Sequence, residues 1–582
     1  MAFQDFAILS ERRRNERKEK VRKRVILGVV SFILLLCIIG AATFVLVNKT
    51  SSEKSANKKD PSTSTNAKVE NYLKTVKTIC SSVEYKTKCE GPLSKEIEKN
   101  PKIAQPKELL KASMKLAEQE INKAFNKTSS MKFESEIEKG AYEDCKQLID
   151  DAREELGFSI SEISKNDLKK LSTRTPELNN WLSAVISYHQ TCIDGFPDGE
   201  LKSGLKKLFQ DPQEFVSNSL SILSNLSSFL SALQPDATRH LLSEKTDRLP
   251  SWIRGDDRRM LKASDDKPTP NVTVAKDGSG NFKTISQALA AMPQTYTGRY
   301  VVYVKEGIYE ETVTVTKKMV NLTIYGDGSP KSIITGSKNF VDGVRTFQTA
   351  TFVVLGEGFL GKSMGFRNTA GPEKHQAVAA RVQADRAIFV NCRFEGYQDT
   401  LYAQTHRQFY RSCVIAGTID FIFGDAAAIF QNCIMQLRKP MENQQNIVTA
   451  QGRYQHQETT GFVLQKCEIK PDEKLVPEKD KIKSYLGRPW KEYSRTIIME
   501  SEIGDIIHPD GWLPWAGDFA LKTLYYAEFN NTGLGAKTNA RVNWVGHKVI
   551  NKEEAAKFAV GPFLNGTWIT GKGVPAQMGL YN

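Results

Sequence analysis

Short β-prone pieces recur about every 20 residues in the C-terminal half of this chain, and that period limits the possible folds more than any other feature. Phe389-Val390-Asn391-Cys392, Phe409-Tyr410-Arg411-Ser412-Cys413 and Phe430-Gln431-Asn432-Cys433 are similar pieces whose cysteines fall 21 and 20 residues apart. A repeat of this length, β-prone and marked by Asn and Gly, is the signature of a parallel β-solenoid. Residues one repeat apart then stack at the inter-strand spacing, roughly 5 Å. Asp399 lies in Tyr397-Gln398-Asp399-Thr400-Leu401, and Asp420 in Gly417-Thr418-Ile419-Asp420-Phe421-Ile422-Phe423-Gly424. They are 420 − 399 = 21 residues apart, so the repeat sets two carboxyls face to face. Such a pair serves as acid and base, or as nucleophile and acid.

The 582 residues are too many for one compact core, so two or more folded units are expected. The formal net charge is +14, and residues 1–24 hold nine Lys/Arg against four Asp/Glu. Residues 263–582 hold 37 against 31, a net of +6. A mildly basic surface suits an acidic polymer, a nucleic acid or an anionic polysaccharide, or simply solvates the protein. Val25 to Val47 is a nearly uninterrupted apolar run of 23 residues behind the basic segment, long enough for a transmembrane helix with the N-terminus cytoplasmic. With no clear cleavage site before Asn48, an uncleaved type II anchor is preferred to a signal peptide, and either places the rest in the secretory pathway. Asn-x-Ser/Thr sites at Asn48, Asn126, Asn225, Asn271, Asn321, Asn530 and Asn565 suit a glycoprotein there. Eight of the nine cysteines follow the membrane run, an even number for an oxidising compartment. No Cys or His spacing supports a metal.

The segments read as a basic tail (1–24), the membrane run (25–47), a Ser/Lys/Asn/Thr-rich stem (48–67), a helical unit (68–234), a charged linker (235–262) and the β-rich unit (263–582). In the helical unit Leu110, Met114, Ala117, Ile121 and Phe125 repeat at helical spacing, as do Tyr142, Cys145, Leu148, Ile149, Ala152 and Leu156. Asp211-Pro212 reads as the opening of a further helix with Val216, Leu220, Leu223, Leu226, Leu230 and Leu233 on one stripe. These patterns predict an all-α antiparallel four-helix bundle. Its cysteines Cys80, Cys89, Cys145 and Cys192 allow three pairings; Cys80–Cys89 would close a local hairpin and Cys145–Cys192 would tie two helices. His189 sits on an apolar face and reads as a packing residue. In the linker, Arg258-Arg259 is a candidate site for a secretory processing protease. A short helical pattern at Ile285 to Met292 would cap the solenoid.

Gln376 lies 22 residues before Gln398 and so joins Asp399 and Asp420 on successive coils. Amides can donate to an oxyanion, one carboxylate can attack an acyl carbon, and a neighbouring carboxylic acid can protonate a leaving oxygen. Like charges this close do not both ionise easily. Arg488, in Leu486-Gly487-Arg488-Pro489-Trp490, would select the anion, and Trp490 could stack on a sugar ring. By themselves these residues fit acyl transfer or glycoside hydrolysis, or aspartates that merely cap turns or pair ions.

With these residues in order, the chain from Asn271 onward resembles the plant pectin methylesterases, carbohydrate esterases built on a right-handed parallel β-helix. Gly307-Ile308-Tyr309-Glu310-Glu311, Gln376-Ala377-Val378 and the segments around Asp399, Asp420 and Arg488 carry the likeness. The upstream bundle resembles the pectin methylesterase inhibitor domain found as a pro-region in that family. Arg258-Arg259-Met260-Leu261 is similar to its processing site, with Met260 where leucine is usual. The resemblance implies Asp420 as nucleophile on a galacturonate methyl ester, and Asp399 as acid and then base. It implies Gln376 and Gln398 as oxyanion donors, and Thr346, Gln376, Arg488 and Trp490 as substrate contacts. Arg345 stands where the family often has threonine. No cofactor and no nucleic acid are implied; the partners are methyl-esterified pectin, the processing protease, the membrane and the chain's own bundle, and the mature enzyme belongs in the extracellular cell wall. Cys392, Cys413, Cys433 and Cys467 lie on neighbouring coils, where Cys413–Cys433 or Cys433–Cys467 could be a disulfide. The competing readings are a pectin-binding or inhibitor protein without esterase activity, and a polysaccharide lyase or glycosidase.

Overall fold

The structure, a computed structural model, describes residues 72–226 and 268–581. The 25–47 run, the stem, the whole linker with Arg258 and Arg259, and Leu230 and Leu233 lie outside the described residues. Among the described residues no helix is long and apolar enough to cross a membrane.

The first part is helical: α1 (Lys86–Lys99), α2 (Pro106–Thr128), α3 (Glu136–Lys165), α4 (Leu168–Asp194) and α5 (Glu200–Ser224). Local chemistry sets the starts. Pro106 occupies the first turn of α2, Ser135 and Glu138 form a reciprocal capping box on α3, and Asp167 caps α4. The four long helices pack in a ring, each against two others. Of the expected stripe, Leu110, Met114, Ala117 and Ile121 are fully buried and Phe125 is partly buried at its end. Disulfides join Cys80 to Cys89 and Cys145 to Cys192. His189 is wholly enclosed beside the Phe209 ring, centroids 5.7 Å apart, with both ring nitrogens unpartnered.

One sequence expectation fails here. Asp211-Pro212 does not open a helix; α5 already runs from Glu200 with Pro212 inside it. Proline forfeits one backbone bond at a cost of about 3 kcal/mol. The buried stripe Leu205, Phe209, Pro212, Val216, Leu220 and Leu223 continues through it at helical spacing, and its packing outweighs that loss.

From Val272 the chain winds into a parallel β-helix of three sheets with 11, 7 and 8 strands, every pairing between them parallel. A short helix, α6 (Ile285–Ala290), packs at its first coils, where the helical pattern was read. Aromatic rings stack along the interior, Phe389 on Tyr410 at 5.2 Å and Tyr410 on Phe430 at 4.6 Å. The recurring Asn-Cys and Ser-Cys steps also become intelligible. Asn391, Ser412 and Asn432 take left-handed φ values of 53°, 51° and 55°, turning the chain from one sheet to the next. The cysteine after each is buried inside.

Those cysteines correct a second expectation. Cys392, Cys413, Cys433 and Cys467 are all free buried thiols, so neither Cys413–Cys433 nor Cys433–Cys467 is bridged. Each of the last three donates to a carbonyl of the preceding coil: Cys413 to Phe389, Cys433 to Tyr410 (both 3.4 Å) and Cys467 to Phe430 (3.2 Å). In-register stacking holds equivalent side chains parallel at the inter-strand spacing of about 4.8 Å, whereas a disulfide needs sulfurs converging to about 2.05 Å.

Candidate active site

Strand register brings the two aspartates together. In the seven-stranded sheet Leu401 pairs with Ile422, and Asp399 and Asp420 each stand two residues before those partners. They therefore occupy the same position on successive coils. Both have left-handed backbones, φ 61° and 49°, a conformation that costs a non-glycine residue and that concentrates at functional sites. Both are buried, 8% and 5% exposed.

Their surroundings differ. The Arg488 guanidinium grips both oxygens of Asp420, Nε to Oδ1 at 2.8 Å and Nη2 to Oδ2 at 2.7 Å. Burial raises the Asp420 carboxyl above its ordinary range, and Arg488 pulls it back. Burial and then the Asp420 charge push Asp399 well above that range, with only weaker relief from Arg488. Asp420 is thus the carboxyl that ionises first, and Asp399 is the one that keeps its proton. The Trp515 ring also packs on the guanidinium, its centroid 4.3 Å from the guanidinium carbon.

Gln376, Gln398, Thr346 and Trp490 line the same 670 Å³ cavity as both aspartates and Arg488. Gln376 Oε1 is buried without a hydrogen-bond partner. Trp490 rests over Gly452, where a Cβ would come within 2.8 Å of the indole. Every residue singled out for the chemistry therefore meets at one place. The sequence reading missed Trp515, Tyr402 and Phe423, which line that place too. Trp515 was findable as an aromatic in the Gly511-Trp512-Leu513-Pro514-Trp515 loop. Phe423 stands in the segment around Asp420 and Tyr402 directly follows the one around Asp399, but only the coil geometry, which stacks their rings 4.3 Å apart, places both on the cavity lining. No group of three or more His, Cys, Asp or Glu side chains is gathered as a metal site among the described residues.

The cavity's other wall is the helical bundle, through Asp144, Thr191 and Asp194. The bundle core runs without a break into Phe347, Val378, Tyr402 and Phe423 of the β-helix. A polar set surrounds that contact. Arg345 and Gln348 bond Asp144, Gln383 bonds Asp151 at 2.7 Å, and Lys491 bonds Asp194 at 2.7 Å. His406 meets Asn180 at 3.0 Å and Tyr188 at 3.1 Å. The helices thus line one side of the cavity, and among the described residues no bundle side chain hydrogen-bonds Asp399 or Asp420.

Known proteins match this architecture in both parts. A pectinesterase family model matches residues 271–567, and a plant invertase/pectin methylesterase inhibitor model matches residues 74–222. A protein of Arabidopsis thaliana named as pectinesterase/pectinesterase inhibitor 45 is 50% identical over 608 residues, 100% of both chains. Pectinesterase 1 of Citrus sinensis is 42% identical over 522 residues, 87% of this chain and 88% of its own. Among solved structures, pectin methylesterase from carrot is 49% identical with a TM-score of 0.54, and 99% of its chain covers 54% of this one.

Proposed function

The chain belongs to the pectinesterase family, and from that premise we propose that Asp420, Asp399, Gln376, Gln398 and Arg488 carry the reaction. The protein is a pectinesterase, a carboxylic ester hydrolase acting on the methyl esters of pectin, with an inhibitor-like domain ahead of the enzyme.

The single observation that carries the residue roles is the asymmetry of the aspartate pair: Asp420 is held at both oxygens by Arg488, and Asp399 is not. The ionised Asp420 attacks the ester carbonyl carbon. The carbonyl oxygen takes the charge and is met by the amides of Gln376 and Gln398. Asp399 gives its proton to the methoxy oxygen, the carbon–oxygen bond breaks, and methanol leaves an acyl-enzyme on Asp420. Asp399, now ionised, takes a proton from water; the hydroxide attacks the same carbon, Asp420 departs and the galacturonate carboxylate is released. Thr346 and Trp490 bind neighbouring sugar units. Asp420→Asn is expected to lower methanol release from methylated pectin by about 10⁴-fold or more while the protein stays folded; retained release would remove Asp420 from this role.

The bundle (68–234) acts in cis as a cover on the enzyme (263–582) until the linker (235–262) is cut at Arg258-Arg259. What supports this is the continuous core between bundle and cleft, together with the dibasic linker. The 25–47 run delivers the precursor to the secretory pathway as a type II membrane protein, on the strength of its length and basic flank. Methanol release from pectin should be low for the 68–582 form and high after removal of the bundle. Equal rates would leave the esterase and discard the inhibition.

A further inference from the structure

Arg345 and Gln348 form a carboxylate clamp at the rim of the catalytic cavity. Thr346–Gln348 is a single 3-10 turn with Arg345 as its N-cap. Residues three apart eclipse in such a turn, so both side chains leave on one side. They converge on Asp144 of α3, with Arg345 Nε donating to Oδ2 at 2.7 Å and Gln348 Nε2 to Oδ1 at 2.6 Å. Asp144 is 8% exposed, so its carboxylate is enclosed as well as gripped. Gly140, one helical turn earlier, leaves room for the guanidinium; a Cβ there would stand 1.9 Å from Arg345 Nη1. Arg345, Thr346 and Asp144 all line the cavity that holds Asp399 and Asp420.

We propose that this clamp is a substrate subsite of the processed enzyme, specific for the free carboxylate of an already de-esterified galacturonate unit, and that Asp144 occupies it as a stand-in while the bundle is in place. The inference rests on the esterase reading, because that reaction leaves carboxylates on the polymer beside remaining esters. A guanidinium and an amide that already hold both oxygens of one carboxylate are matched to another of the same shape. A methyl ester lacks the charge and one acceptor, so it fits the clamp poorly. The same two side chains thus select partly de-esterified stretches when the enzyme is free and select this bundle when it is not.

The test is binding of an unmethylated galacturonate oligomer, which carries no ester and is read by calorimetry without turnover. The full chain and its processed form are compared; the carrot relative, spanning 54% of this chain, shows that the β-helix part stands as a folded chain. The processed enzyme should bind and the full chain should not. Arg345→Gln should weaken binding about tenfold or more, Gln348→Leu less, and Arg345→Lys should restore part of the loss. In turnover, Arg345→Gln should also lower the preference for partly over fully methylated oligomers through KM rather than kcat. Unchanged affinity in both Arg345→Gln and Gln348→Leu, or equal affinity of the full chain and the processed form, would overturn the proposal. Absence of methanol release from every form would instead refute the esterase reading, and the oligomer affinities would stand apart from it.

Discussion

At the scale of single residues, the site depends on one guanidinium treating two equivalent carboxyls differently. Arg488→Lys keeps the charge but loses the two-point grip on Asp420. It should lower kcat by about 10²-fold. With Asp420 less well held as an anion, its carboxyl titrates higher, so the acid limb of the pH–rate profile should move to higher pH. An unmoved acid limb would mean that Arg488 does not set the ionisation of Asp420. His189 gives a second residue-scale prediction, in the bundle. Burial pushes its imidazole down from 6.5 to about 3. The folded state therefore resists protonation while the unfolded chain takes the proton below pH 6.5. Stability from this group is complete above that pH and lost as pH falls toward 3, at about 1.4 kcal/mol per unit. Denaturation of the bundle at several pH values should show that slope, and His189→Leu should flatten it.

At the scale of elements, the two halves are held by different means. The β-helix needs no cross-link, because each coil pairs with the next and the interior rings and thiols stack in register. The bundle has two disulfides. Cys145–Cys192 spans 47 residues and Cys80–Cys89 only 9. Loop-closure entropy assigns about 4 kcal/mol to the first and about 2.6 kcal/mol to the second. Replacing Cys145 and Cys192 by serine should thus lower the bundle's denaturation midpoint more than replacing Cys80 and Cys89. The reverse order would show that the short bridge governs the entry into α1 rather than the entropy of the unfolded chain. The cysteines also show how far spacing alone can be read. The 21- and 20-residue steps placed Cys392, Cys413 and Cys433 on neighbouring coils, but proximity is not bonding, and the direction of their side chains belongs to the coil geometry.

At the scale of the whole molecule, α3 and α4 stand over the face that the strand register builds. Pectin, as a long chain, has to lie along that face, so the bundle need only cover it without reaching into the aspartates. The loss of methanol release in the 68–582 form and its recovery on processing is the expectation that belongs to this scale. The sequence by itself determined the period, the helical stripes, the two-part organisation and the face-to-face placing of Asp399 and Asp420 beside Gln376 and Gln398. These follow from local patterns, since a 20-residue repeat stacks equivalent positions and apolar spacing selects the face that a helix buries, whereas Thr346 was legible only through the family resemblance. Three things were decided only in the tertiary structure. Helix α5 passes through Pro212 because packing on both sides outweighs one lost backbone bond. Trp515, Tyr402 and Phe423 join the site because loops and strands distant in sequence converge there. Arg345, at the start of the 3-10 turn, takes Asp144, 201 residues earlier in the chain. No sequence period connects such a pair; it exists because two separately folded surfaces were brought into contact.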